Sequence, residues 1–330
     1  MELNDAADVV CGCICFLCFL IGTSSNIVSF LYFHSKKRDI SSTIYMMITA
    51  NDVVISIVAL PVGLSYWSNR QPGLIFGNKY GCGTLVYIWH ITISLSILLV
   101  MCLSITRTFS LVRPFKKQKV SCLIIAVVTN TVLTLVQPVV LQILCDMKIK
   151  FLPEFSRCLM EPPVKPDRPN LLLTMGLIGN MQYIAPAFVV ATSCVISAVL
   201  LTRGNKLVQQ REQQQSRNRA TVTILLFALL YGVCNIPLVV DFIVIVYCQH
   251  TENMKWYEKE LYKFDTQDYY VTFMRTILLV INSAANPTLY FWRMPPLRDF
   301  TLASIRRIQQ QNSGIRRTQN SVQSRDPAVN

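Results

Sequence analysis

Seven long apolar stretches limit what this 330-residue chain can become more than any other feature. They lie near 9–33, 43–66, 81–106, 120–145, 170–202, 220–248 and 269–292. Each reaches the roughly 20 helical residues needed to cross a bilayer. Only helices satisfy their own backbone polar groups in lipid, so the expected fold is an all-α membrane protein, a bundle of seven transmembrane helices. Only 15% of the residues are charged, against about 25% in an ordinary soluble domain. The first stretch is not expected to be a cleavable signal peptide: its leader, Met1 to Asp5, is acidic and its apolar run is too long.

The net charge of +13 would suggest nucleic acid on a soluble protein, but its placement gives another meaning. Segments 34–42, 107–119, 203–219 and 293–330 hold 3, 5, 5 and 7 Lys or Arg, against four acids. The opposite face holds 2, 5 and 3 in 67–80, 146–169 and 249–268, against twelve acids once Glu2, Asp5 and Asp8 are counted. The positive-inside rule then predicts a multi-pass plasma-membrane protein with its C-terminus cytoplasmic and its N-terminus outside. The positive charge is a cytoplasmic face, and no nucleic-acid partner is expected.

The expected organisation is a short extracellular N-terminus over 1–8, a membrane domain over 9–292, an amphipathic surface helix over 293–308 and a disordered cytoplasmic tail over 309–330. Pro295 and Pro296 open the surface helix, and Leu297, Phe300, Ile305 and Ile308 fall at helical spacing with Arg298, Arg306 and Arg307 between them. Eight of the twelve cysteines sit inside apolar runs, where a thiol is usually a small buried hydrophobe. Zinc-type spacing is absent. No nucleophile–base pair shares a plausible pocket, so enzyme chemistry is not expected.

Polar groups inside the membrane are costly and therefore candidates for function. Asp52 lies in the middle of the second span, and Asn26, Ser96, Asn282, Ser283 and Asn286 lie at matching depths in spans 1, 3 and 7. A buried carboxylate is neutralised by a proton or accompanied by a cation. Two readings stay open: a small-cation site completed by Asn and Ser oxygens, or a protonated Asp52 that simply ties helices together through Asn286. Arg107 sits at the cytoplasmic mouth of span 3, where a snorkelling arginine is the ordinary case.

Taken in order, the motifs resemble those of class A (rhodopsin-like) G-protein-coupled receptors. They are Gly22 to Asn26, Ala50-Asn51-Asp52, Cys82 followed 25 residues later by Ile105-Thr106-Arg107, Arg113-Pro114-Phe115, Cys234-Asn235-Ile236-Pro237, and Asn286-Pro287-Thr288-Leu289-Tyr290. The resemblance implies a ligand-gated receptor that activates a heterotrimeric G protein through Thr106, Arg107, Pro237 and Tyr290. It also implies a sodium ion held near Asp52 and Ser96, and a disulfide between Cys82 and Cys158. No other cofactor is expected. The implied partners are an extracellular ligand, the lipid bilayer, arrestin and a receptor kinase, the last two reading Ser304, Ser313, Thr318, Ser321 and Ser324.

The chain departs from the family pattern in several places. Thr106 replaces the usual acid, Asn235 the aromatic switch residue and Cys194 the tyrosine of span 5. Span 4 lacks tryptophan, and Arg217 stands where an acid often latches Arg107. These departures keep a non-signalling decoy receptor as the alternative, ahead of a transporter or channel, for which inverted repeats are missing. A light sensor is disfavoured because span 7 has no lysine and carries Val280 near the expected place. The expected ligand site is Trp89, His90, Gln182, Tyr183, Asn235, Asp241 and Arg275. Trp89 occupies the position at which biogenic-amine receptors carry an aspartate, so a short peptide or small polar molecule is favoured over a monoamine, with a lipid as the runner-up. Asp241 and Arg275 could equally bridge spans 6 and 7.

Overall fold

The computed structural model describes residues 3–36, 39–67, 79–112, 120–144, 148–152, 157–161, 184–200, 222, 226, 229–234, 267–306 and 310. The helices are α1 (Leu3–Ser35), α2 (Ile40–Trp67), α3 (Lys79–Val112), α4 (Val120–Leu144), α5 (Ile184–Leu200), α6 (229–234), α7 (Gln267–Arg293) and α8 (295–306). Helix α1 starts at Leu3, so residues expected to precede the first span are already helical. The segments Val9–Ser35, Ile40–Leu64 and Tyr87–Val112 are each long and apolar enough to cross a membrane. The described parts of spans 5 and 6 are shorter than the stretches read at 170–202 and 220–248. The tail over 309–330 lies outside the described residues, save Gln310.

Burial departs from the pattern of a soluble domain in two respects. Large apolar side chains face outward on α1 (Leu17, Leu20, Ile21, Leu31), α4 (Ile124, Ile125, Val128, Val132) and α5 (Phe188, Val195). Asn26, Thr49, Asn51, Asp52, Ser56, Ser283 and Asn286 are buried. Lipid solvates leucine as well as a protein core does, so helices associate through small residues and interhelical hydrogen bonds instead.

Helix α1 packs mainly on α2 and next on α7; α2 also contacts α3 and α7, and α3 contacts α4. Helix α2 opens with a reciprocal cap: the Ser42 amide donates to Asp39 Oδ1 at 2.9 Å, and the Asp39 amide donates to Ser42 Oγ at 3.2 Å. A polar clasp joins α3 to α4. Asn130 Nδ2 donates to Ser94 Oγ at 2.9 Å, and Thr134 Oγ1 lies 3.0 Å from the same oxygen.

One element departs from the all-helical expectation. Strands β1 (Lys148–Leu152) and β2 (Arg157–Glu161) form an antiparallel hairpin with Phe151 opposite Cys158, and both strands lie against α3. The alternation Lys148-Ile149-Lys150-Phe151 is a strand signal, too short to register beside runs of 20 apolar residues.

Two apolar clusters divide the bundle. Tyr32, Phe33, Ile44, Tyr45, Leu103, Tyr290 and Leu297 gather where α1 turns into α2. Cys11, Cys15, Ala59, Ile277 and Val280 gather toward the start of α1.

A candidate switch site in a buried polar layer

The polar layer lies between these clusters. Proline at 287 cannot donate to the carbonyl of Ser283, which leaves that oxygen without its helical partner. Asn26 fills the gap: its Nδ2 donates to the Ser283 carbonyl at 3.2 Å and to the Gly22 carbonyl at 2.9 Å. Ser283 Oγ donates to the Asp52 carbonyl at 3.0 Å and lies 3.2 Å from Ser56 Oγ. Asn286 Nδ2 donates to Asp52 Oδ2 at 2.7 Å, a charge-assisted length if Asp52 is ionised. Helices α1, α2 and α7 are thus joined by side chains that are all buried.

Sequence reasoning read Asn51 only as part of a motif and left it, with Ser56 and Thr92, out of the polar layer. Asn51 Nδ2 donates to Ser96 Oγ at 2.8 Å and to the Thr92 carbonyl at 3.0 Å, which ties α2 to α3. Ser96 is therefore engaged by Asn51. Ser56 follows Asp52 by one helical turn, a spacing that could have flagged it. Three buried amide oxygens, Asn26 Oδ1, Asn282 Oδ1 and Asn286 Oδ1, have no hydrogen-bond partner among the described residues. Oxygens of this kind suit a hard cation, which takes carbonyl and carboxylate ligands.

At the end of the bundle bearing the aromatic cluster, Thr106 is buried and Arg107 half-buried. Arg107 Nε has no hydrogen-bond partner among the described residues. Its neighbour Thr108 joins α3 to α5: Oγ1 lies 2.9 Å from Ser197 Oγ and 3.1 Å from the Ser193 carbonyl. Tyr290 is fully buried, its ring edge-on to Tyr45 at 5.2 Å and to Phe33 at 5.6 Å.

Toward the opposite end, Trp89 is half-buried against the cluster of Cys11, Cys15, Ile277 and Val280, while His90 is exposed. Gln182, Tyr183, Asn235, Pro237, Asp241 and Arg217 lie outside the described residues. Arg275 belongs to α7, Cys82 to α3 and Cys158 to β2, with their side chains outside the description.

A search of curated proteins gives no match. Among solved structures the chain is similar to squid rhodopsin, with a TM-score of 0.64 and 15% identity. That match covers 93% of this chain and 88% of the other. The model of the family "7 transmembrane receptor (rhodopsin family)" matches residues 8–290, most of the chain. The fold is that of a signalling receptor rather than an enzyme, and the chain belongs to the rhodopsin family of seven-transmembrane receptors.

Proposed function

We propose that this chain is a plasma-membrane receptor, N-terminus outside and C-terminus cytoplasmic, that binds an extracellular ligand within the bundle and activates a heterotrimeric G protein. The observation that carries this reading is the hydrogen-bonded layer of Asp52, Asn286, Ser283 and Asn26 between two apolar clusters. Interhelical hydrogen bonds in membranes average about 0.6 kcal/mol each. Exchanging a few of them therefore costs little beside the several kcal/mol of differential affinity a ligand can supply. A ligand at one end can bias the helix arrangement that a G protein meets at the other.

The ligand site is the set Trp89, His90, Gln182, Tyr183, Asn235, Asp241 and Arg275, with a short peptide or small polar molecule as occupant. Arg275 is a natural partner for a ligand carboxylate. Asp52 with the Asn26, Asn282 and Asn286 oxygens would hold sodium in the resting state, the orphaned amide oxygens being the support. The ion would supply the positive charge that a buried carboxylate lacks. A Cys82–Cys158 disulfide is supported by β2 lying on α3. Coupling runs through Arg107, with Thr106, Pro237 and Tyr290 setting its position. Arrestin and a receptor kinase would engage the serines and threonines of α8 and the tail.

The test is a screen of short peptides and small polar acids on cells bearing the receptor, read by G-protein activation and arrestin recruitment. The expected hit activates a G protein and loses about tenfold or more in potency with Arg275→Ala. Ligand uptake with silence through every G protein overturns the reading in favour of a decoy, which the threonine at 106 would then explain.

A further inference from the structure

A cavity of about 370 Å³ lies between α1, α7 and α8, at the size where small-molecule sites begin. Ser25 and Val28, Thr288 and Phe291, and Leu297 and Thr301 are among its walls. Three of its five hydroxyls are engaged within their own helices. Ser24 Oγ donates to the Leu20 carbonyl at 2.7 Å, Ser25 Oγ to Ile21, and Thr301 Oγ1 to Leu297 at 2.8 Å. Each turns back onto its own helix and leaves methyl and methylene groups facing the space. Thr288 and Phe291 are exposed, beside exposed Leu20, Ile21 and Trp292 on the outer faces of α1 and α7. The mouth opens sideways to lipid.

Basic residues follow the lining on two of its helices: Lys36 lies two turns past Val28, and Arg298 follows Leu297. The α1 wall continues by helical steps from Ser25 through Val28 to Tyr32 and Lys36. Lys36 Nζ stands 4.9 Å over the Tyr32 ring, and that ring lies 5.5 Å from Phe300 of α8. Arg298 and Arg306 are exposed on α8, and the Arg293 guanidinium lies 5.2 Å over the exposed Trp292 ring. Asp299 is the one acid among residues 291–306. An apolar slot above a cationic rim fits a molecule with a hydrocarbon body and an anionic head.

We propose that this cavity is a binding site for an anionic glycerophospholipid of the leaflet that faces α8. One acyl chain fills the slot between α1 and α7, and the phosphate-bearing head rests on Lys36 and Arg298. On the orientation proposed above, this is the cytoplasmic leaflet, where anionic lipids are concentrated. Occupancy joins α8 to α1 and α7, beside Tyr290.

Native mass spectrometry of the purified full-length receptor tests this, in micelles doped equally with phosphatidylserine and phosphatidylcholine. The expected result is preferential retention of phosphatidylserine. Thr288→Phe, which fills the slot from its exposed rim, should abolish it, and Ser24→Phe should do the same from the α1 side should the first variant fail to fold. Lys36→Gln and Arg298→Gln should each cut the preference about fivefold, the worth of one basic group near an anionic surface. Equal retention of the two lipids overturns the proposal, as does phosphatidylserine retention indifferent to both filling variants. Displacement of phosphatidylserine by cholesterol, or a receptor dimer lost with Thr288→Phe while lipid retention stays constant, overturns it in favour of another occupant.

Discussion

Gly22 marks a close approach of α1 to α2 and α7, and adding one methyl group there has a cost that can be worked out in advance. A Cβ at 22 would stand 2.5 Å from Ser56 Oγ, 3.3 Å from Ser56 Cβ and 3.4 Å from Ala284 Cβ. The Ser56 hydroxyl is not free to turn away, because it lies 3.2 Å from Ser283 Oγ, which is engaged with the Asp52 carbonyl. Either Ser56 rotates and gives up a contact of about 0.6 kcal/mol, or α1 retreats. Even with the hydroxyl turned, Ser56 Cβ at 3.3 Å must give by a few tenths of an ångström, so an overpacking cost of about 1–3 kcal/mol is expected. Alanine in place of glycine also gains about 0.8–1 kcal/mol of helix propensity, which partly offsets this.

Gly232 provides the matched control. Within α6 a Cβ at 232 meets no described atom within 4 Å, so Gly232→Ala collects the propensity gain alone. The difference between the two variants isolates the packing cost. Gly22→Ala should melt several degrees below Gly232→Ala when unfolding of the purified receptor is followed by tryptophan fluorescence. In the Gly22→Ala/Ser56→Ala double variant the clashing oxygen is gone, and most of the loss should return. Equal melting of the two single variants, or no recovery in the double, would refute the close approach of α1 and α2.

Asp52→Asn should abolish any weakening of agonist binding by sodium while leaving surface expression largely intact; an unmutated receptor whose agonist affinity ignores sodium refutes the ion site. Thr106→Asp should lower basal G-protein activity by giving Arg107 an adjacent acid, and unchanged basal output counts against that role for position 106. Thr134→Val removes the hydroxyl beside Ser94 and should cost roughly 0.6–1.7 kcal/mol, read as a lower melting midpoint with ligand affinity unchanged. Truncation after Gln309 should slow internalisation, and unaltered trafficking would separate the tail from arrestin.

The Asp52–Asn286 contact was legible before any coordinates, because a carboxylate at mid-membrane depth must find a partner and few polar groups share that depth. Ser56 was not legible in the same way. A serine or threonine in a membrane helix can satisfy itself on its own backbone, as Thr49 does on the Tyr45 carbonyl at 3.0 Å. Residue type therefore does not reveal whether a hydroxyl reaches another helix; the facing glycine at 22 decides it. The hairpin over 148–161 escaped for a reason of scale, since windows tuned to spans of 20 residues average away five-residue strands. The polar clasp of Ser94, Asn130 and Thr134 escaped because a hydroxyl or amide in a span does not show by its type which neighbouring helix it faces.

The adjacent pair Asn51 and Asp52 gives α2 its central place. Consecutive helical residues point about 100° apart, so Asn51 reaches α3 through Ser96 and Thr92 while Asp52 reaches α7 through Asn286. Rotation of α2 about its own axis cannot keep both contacts: drawing Asp52 further toward α7 carries Asn51 away from Ser96. A shift of α7 that relocates Asn286 would therefore be felt by α3 through two neighbouring side chains, and by the apolar clusters on either side, which both hold residues of α2 and α7. Ser96 precedes Arg107 by eleven residues, about 16 Å along the same helix. Below it, Thr108 fastens α3 to α5 at Ser193 and Ser197. Hydrogen bonds thus join α7 to α2 and α2 to α3, the helix that carries the half-buried Arg107. These links are the side-chain contacts of Asn51 and Asp52, each replaceable without emptying a packed core.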